Sequence, residues 1–588
     1  MKRDALAQAC LSAFVVLSAG VGCASTPPPP EAEAPRTTGA VAPSRANPSE
    51  ASGAFAPAPS TVRGLAKGAI MLDDLGTYHL KVTASPAAQA WFDQGLRLTY
   101  GFNHDEATRS FARGAELDPG CAMCFWGAAL TMGPNYNVPM LPDRARAAWD
   151  ALQSARAGAP RTTPMEQALI GALVNRYKGP DPLEPPAMQP FNVAYADAMR
   201  KVARSYPDDR DVQVLFAESL MDVNPWKLWS LDGTPAPGTS DIVAALEGVL
   251  ARDPSHPGAN HYYIHAVEAS LHPEAALPSA ERLAALMPGA GHIVHMPAHI
   301  FQRVGRYADA SAANARAAEV DHAYMRRTEP PGYYPMYLGH NYGFLSFSAS
   351  MEGRSKDSIA AARAAAKAIP PAMIDMMPGM DFFVSEPSLA MVRFGKWDDL
   401  LAEPRPDPKY PVLTAFWLHG HGMALAAKGR LDDASRDQAA LAELATNVPE
   451  TVNAGNNRAR DVFAVAAKVL EARIATEKAR KAGKPADALG AWQEAVALSD
   501  RLAYSEPDDW FYPVRHHQGA AQLAAGKAKD AEATYREDLR RHPKNGWALF
   551  GLWQSLAQQK RGPEATLVKR DFDAAWEKGD VKLTSSAF

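Results

Sequence analysis

Apolar and small residues recur three or four positions apart along most of this chain, and the strict apolar–polar alternation of a half-buried strand is almost absent. The pattern predicts a helix built on Trp91, Gly95 and Leu98, and a second over His104 to Leu117 that stops at Asp118-Pro119. A third runs from Cys121 through FWGAAL until Gly133-Pro134 and Val138-Pro139 enforce a loop. Helices follow at about 143–157 and 164–177, then a proline-rich insertion from Gly179 to Pro190, then a helix pair over about 191–221. Beyond the middle of the chain the same reading gives helical segments at about 357–369, 385–395, 412–446, 459–482, 486–504, 513–541 and 546–575. Three stretches break the rhythm: NPWKLWSLDGTPAPGT at 224–239, EPPGYYPMYLGH at 329–340 and EPDDWFYPVRHH at 506–517. The last two share a Glu-Pro, a run of aromatics and a following histidine. Alanine-rich helical periodicity over 588 residues predicts an all-α chain whose core is a stack of helix pairs.

The helices also repeat. His261 and His265 are four apart, His295 and His299 repeat that spacing, and both offsets between the pairs are thirty-four residues. Gly305, Gly429 and Gly526 each precede an alanine by five (Ala310, Ala434, Ala531), and Leu271 stands five before Ala276 in the glycine's place. Pro119, Pro288 and Pro543 fall twelve after Ala107, Ala276 and Ala531. Small residues let paired helices approach and proline ends the second. On this period and punctuation the chain resembles the tetratricopeptide repeat (TPR) family over about residues 86–575. The resemblance implies a helix-turn-helix solenoid, a right-handed superhelix, whose first helices line a concave groove that takes peptides in extended form.

The N-terminus reads differently. Lys2 and Arg3, an apolar run from Ala9 to Val21 and the small pair before Cys23 look like a bacterial lipoprotein signal over 1–23, with Cys23 as the lipidated residue. Gly20 stands where the lipobox has leucine, which leaves plain secretion open. Residues 24–62, rich in Pro, Ala and Ser, suit an extended tether, 63–85 a lead-in, and 86–588 the solenoid with a histidine-rich centre at 256–340. These features place the chain in a bacterial cell envelope, its membrane contact made through the lipid. Removal of Cys10 and lipidation of Cys23 would leave only Cys121 and Cys124, one CxxC for which a local disulfide is expected. The 61 basic and 65 acidic residues, net charge −4, give no basic footprint for a nucleic acid partner.

Candidate chemistry lies in the centre. In a helix, His261, His265 and Glu268 project from one face. Relative to the repeat glycines, His261, His265, His292, His295, His299, His340, His419 and His516 fall into columns that the resemblance aims at one inner surface, eight of the sixteen histidines. Imidazole suits a divalent transition metal, Zn, Cu, Ni or Fe. The expected ligands are His261, His265, His295 and His299, supplemented by His292, with Glu268 as a further ligand or as a carboxylate orienting a ring. Tyr262 follows His261, so the zinc-protease HExxH pattern is absent. Pro297, two before His299, either opens a helix or bends one.

Three functions follow as expectations. The first is an envelope-anchored solenoid that binds a transition metal and a peptide, protein or small ligand in its histidine-lined groove. The second is a metal-dependent hydrolase or oxidase with Glu268 as base. The third is a metal-free interaction scaffold whose histidines only satisfy the inner face.

Overall fold

The structure, a computed structural model, describes residues 61–328, 330, 332–376 and 379–588. The signal, Cys23 and nearly all of the tether lie outside the described residues. The described chain is an all-helical solenoid; its one two-stranded ladder pairs Asn453–Ala454 with Asn457–Arg458. Helices pack as successive antiparallel neighbours: Pro86–Tyr100 on His104–Leu117, Pro257–Val267 on Leu277–Leu286, Tyr334–Met351 on Ser355–Ala368, Pro411–Ala427 on Leu431–Asn447, and Gly546–Gln558 on Gly562–Ala575. No described helix is long and apolar enough to cross a membrane.

The punctuation works through the backbone. Helices ending at Leu117, Ser205, Arg252, Leu286, Ala368, Asn447 and Arg541 each have proline two residues later. The residue between is forced out of the helical region by the proline ring that follows it; Asp118, Asp253 and Met287 sit at φ −140° to −143° with positive ψ. At the other end of a pair, Gly305 and Gly429 adopt φ +76° and +79°, and the next amide returns to a carbonyl five back, Arg306 to Phe301 and Arg430 to Leu425. Ala310 and Ala434, five beyond each glycine, are fully buried where the two helices cross.

Some boundaries differ from the sequence reading. The proline-rich insertion is partly helix, because Pro185 and Pro186 occupy the first turn of Pro185–Ser205, where an amide hydrogen has no partner to lose. The helix expected to reach 504 stops at Ser499, so irregular chain runs to Pro513. Pro297 both opens and bends: Gly291–His295 ends, Met296 stays helical in φ and ψ, and Pro297 begins Pro297–Arg303. Gly291 is required there, since a Cβ would lie 1.7 Å from Asp321 Oδ1.

The solenoid winds until distant segments touch. Tyr337 Oη, beyond the centre, donates to the Phe102 carbonyl at 3.2 Å. Arg303 lies over the Tyr504 ring at 5.5 Å, and Gly305 abuts the Pro543 carbonyl. The segments 224–239, 332–340 and 504–511 thereby converge on the histidine-bearing helices, although all but the first two residues of the second belong to Tyr334–Met351.

Candidate metal centre

Every residue from Pro257 to Val267 is buried, so this helix has no solvent face, and its polar side chains must find partners inside. His261 Nδ1 donates to the Tyr100 carbonyl at 2.6 Å, satisfying an acceptor left over at the C-terminus of Pro86–Tyr100. His265 Nδ1 donates to Glu268 Oε1 at 2.9 Å, and His299 Nδ1 donates to Glu268 Oε2 at 2.5 Å. His295 Nδ1 lies 2.6 Å from Asn314 Oδ1; the Asn314 amide nitrogen donates to the Ala310 carbonyl, which fixes the amide with its oxygen toward the ring.

The tautomers follow. Each of these four rings carries its hydrogen on Nδ1, and while the ring is neutral its Nε2 is a bare lone pair. His295 Nε2 and His299 Nε2 face each other at 2.8 Å, and His261 Nε2 lies 3.2 Å from His292 Nε2. Among the described residues, His265 Nε2 and His292 Nδ1 are buried without a protein partner. The rings are held neutral: burial, with the neighbouring imidazoles adding to it, sets His261, His292 and His295 well below the ordinary histidine value. Burial lowers His265 to about 3, and His340 and His299 to about 4, the Glu268 carboxylate opposing the fall at His299.

Three sets bring candidate ligand atoms within 4.8 Å of one another: His261, His265 and His292; His295, His299 and His340; and His265, Glu268 and His299. The sequence-derived residues all belong to this one connected cluster, but the four histidines do not close on a single point. The bend at Pro297 turns His295 and His299 toward each other, and His340 from Tyr334–Met351 completes that group, ring centroid 4.8 Å from His295. His340 shared a column with His292 in the sequence; only the superhelical winding that stacks its helix beside Pro297–Arg303 shows its place. Both Glu268 oxygens are engaged by Nδ1–H groups, so Glu268 orients two rings rather than standing among the ligands.

His419 and His516 separate from the other six. His419 bonds to the Ala466 carbonyl and Tyr512 Oη, and His516 to Arg393 and Asp538, both as members of buried hydrogen-bond networks. Cys121 and Cys124 are joined by a disulfide at the start of Ala122–Thr131.

A cavity of about 180 Å³ opens beside the cluster, with His265, His292, His299 and His340 on one wall. Aromatic rings of Trp226, Tyr333, Tyr337 and Phe382 form much of the rest, and the acidic side chains are Glu386, Glu506, Asp508 and Asp509; among the described residues no Lys or Arg lines it. Burial raises Glu386 to about 8, and burial with the nearby Glu268 raises Glu506 well above the carboxylate range. Glu506 Oε2 is 3.6 Å from His299 Nδ1. Glu506 and Tyr337 come from the two aromatic Glu-Pro stretches; their shared composition was the one sequence signal for this wall. Trp229 is pinned by its indole N–H to the Ala266 carbonyl, whereas Trp226 stacks on Tyr136 and edges onto His265.

No protein-family model matches the sequence, and no curated protein matches it. Among solved structures, the chain is similar to the Cut9-Hcn1 hetero-tetramer of the APC/C, at 14% identity and TM-score 0.31 over 80% of this chain and 76% of that one. It is similar to yeast Tom70 at 10% identity and TM-score 0.26, covering 82% and 91% of the two chains. It is also similar to the P58(IPK) TPR domain at 12% identity and TM-score 0.20, covering 81% and 99%. At these scores the overlaps add nothing to what the helix pairs themselves establish about the fold.

Proposed function

We propose that this solenoid binds a divalent transition metal in its histidine centre and presents it to a ligand in the adjoining cavity. The observation that carries the reading is the pair His295 and His299. With Nδ1–H committed to Asn314 and to the Glu268 carboxylate, the two neutral rings oppose lone pairs at 2.8 Å, an arrangement that a shared cation relieves. The bare Nε2 of His265, buried without a partner among the described residues, supports the same reading. Glu268, Asn314 and the Tyr100 carbonyl act as the outer groups that fix ring orientation and tautomer. The ligand is a peptide segment or small molecule with an aromatic or apolar body and a neutral or cationic end, because the described residues of the cavity offer rings and acids but no Lys or Arg. An anionic ligand would have to rely on the metal alone.

A second reading, metal-dependent hydrolysis or oxidation, is favoured by the ligand count. Three-histidine sets beside a cavity leave a coordination position open, as catalytic sites do. Glu506, not Glu268, then has the reach to exchange protons with a cavity ligand, since both Glu268 oxygens are occupied.

Metal analysis tests the first reading. Protein purified without a histidine tag, stripped with chelator and loaded separately with Zn(II), Cu(II), Ni(II) and Fe(II), should retain at least one of them after desalting. The double variant His265→Ala/His299→Ala should lose it with helical content unchanged. An unoccupied wild type after all four loadings leaves only the metal-free scaffold.

A further inference from the structure

Resting on the metal-binding reading, we propose that the centre holds two metal ions, one on His261, His265 and His292 and the other on His295, His299 and His340, with Glu268 tying the two sites together. The separations favour two sites. At a metal–nitrogen bond of about 2.0–2.1 Å, two ligands of one ion lie about 3.3 Å apart in a tetrahedron and about 2.9 Å apart at right angles. His261 Nε2 and His292 Nε2 at 3.2 Å match the first, and His295 Nε2 and His299 Nε2 at 2.8 Å match the second.

Each set also meets the ligand-atom separation on its own, and no histidine belongs to both. The third set, His265 with Glu268 and His299, is a hydrogen-bond bridge, because the ring atoms that approach Glu268 are the Nδ1 donors. One carboxylate thus sets the tautomer of one ring in each site. Mutual packing fixes the sites side by side: the His265 and His299 rings lie 5.5 Å apart between centroids, and His292 and His295 5.8 Å. His265, His292, His299 and His340 all line the cavity, so a bound molecule can reach both ions. The ligand class this adds is one whose single oxygen, or pair of oxygens, spans two cations.

Stoichiometry decides it. The full-length chain, stripped and titrated with Co(II), should show a break in its visible absorption at two equivalents, and mass spectrometry of desalted protein should give two ions per chain. His261→Gln/His292→Gln and His295→Gln/His340→Gln should each retain one ion. Two Cu(II) ions should give a weakened or split electron paramagnetic resonance signal that each variant restores to that of an isolated ion. One ion per wild-type chain overturns the pair of sites and leaves the metal-binding reading standing; none overturns both. The wild-type count holds whether or not a variant folds.

Discussion

Replacing Glu268 by glutamine separates a metal centre from a polar core. The carboxylate accepts from His265 Nδ1 at one oxygen and from His299 Nδ1 at the other. Glutamine keeps one acceptor and turns the other position into an amide donor. That donor faces an Nδ1–H, so one ring must move its hydrogen to Nε2 and lose the lone pair that would bind metal. Loss of one orienting partner lowers metal affinity about 10- to 100-fold, and here a ligand is lost with it, so the upper end is expected, a weakening worth about 2.7 kcal/mol. The metal-free protein should respond differently. Burial already disfavours the charged carboxylate, with His299 and Arg303 opposing it, and an amide of the same shape removes a buried charge. The unfolding free energy of the stripped variant should therefore stay within about 1 kcal/mol of wild type, one neutral hydrogen bond. Competition against a chromophoric chelator reads the affinity, and urea unfolding of stripped protein reads the stability. Unchanged affinity with stripped protein destabilised by several kcal/mol would refute the reasoning and make Glu268 a core hydrogen-bond residue.

Acid should destabilise the stripped protein. The unfolded histidines take up protons at about pH 6.5, whereas folded His265, His299 and His340 resist until about 3 to 4, so stability falls as pH drops through that window; a flat stability–pH curve there would contradict the buried neutral rings. His542 runs the other way. Burial works against its charge, but hydrogen bonds and attraction to Asp508 and Asp538 raise it to about 9, so its contribution is complete below about pH 6.5 and vanishes as pH rises through 9. Thermal melts of wild type and His542→Gln should converge above that pH, and a constant difference would show a packing role instead. At the N-terminus, a fatty-acid probe should label the wild type in a bacterial host and not Cys23→Ala; equal labelling would remove the lipid anchor.

The fold was legible because its signals are local. Proline two residues after a helix and glycine at positive φ act on their own backbone, so Pro119, Pro288, Gly305 and Gly429 could be read one at a time. The centre was legible in part for the same reason: His261 and His265 share a helix face, and Glu268 is one turn on. What escaped depends on contacts between distant segments. His340 is forty-five residues after His295, Glu506 farther still, and neither position says that its helix or loop closes over the centre. His419 and His516 show the reverse failure. Their spacing before a glycine matched the column, yet the repeats that carry them lie farther along the superhelix, where Tyr512 and Asp538 rather than other imidazoles meet them.

That contrast separates the six histidines proposed to hold metal from the other two. His419 and His516 have protein partners on both ring nitrogens: a carbonyl and a hydroxyl for one, a guanidinium and a carboxylate for the other. Buried imidazoles in this chain can therefore be satisfied by ordinary hydrogen bonds. In the centre, acceptors meet Nδ1 in four rings, while Nε2 meets another imidazole or nothing. On that side Tyr136, Trp226, Phe102 and Phe344 contribute ring faces and edges at 4.5 to 5.9 Å from the histidine rings. A polar core evolved only for stability would answer lone pairs with donors, as the surroundings of His419 and His516 do. A wall of acceptors behind the rings and bare nitrogens before them is the division of labour that cation binding requires.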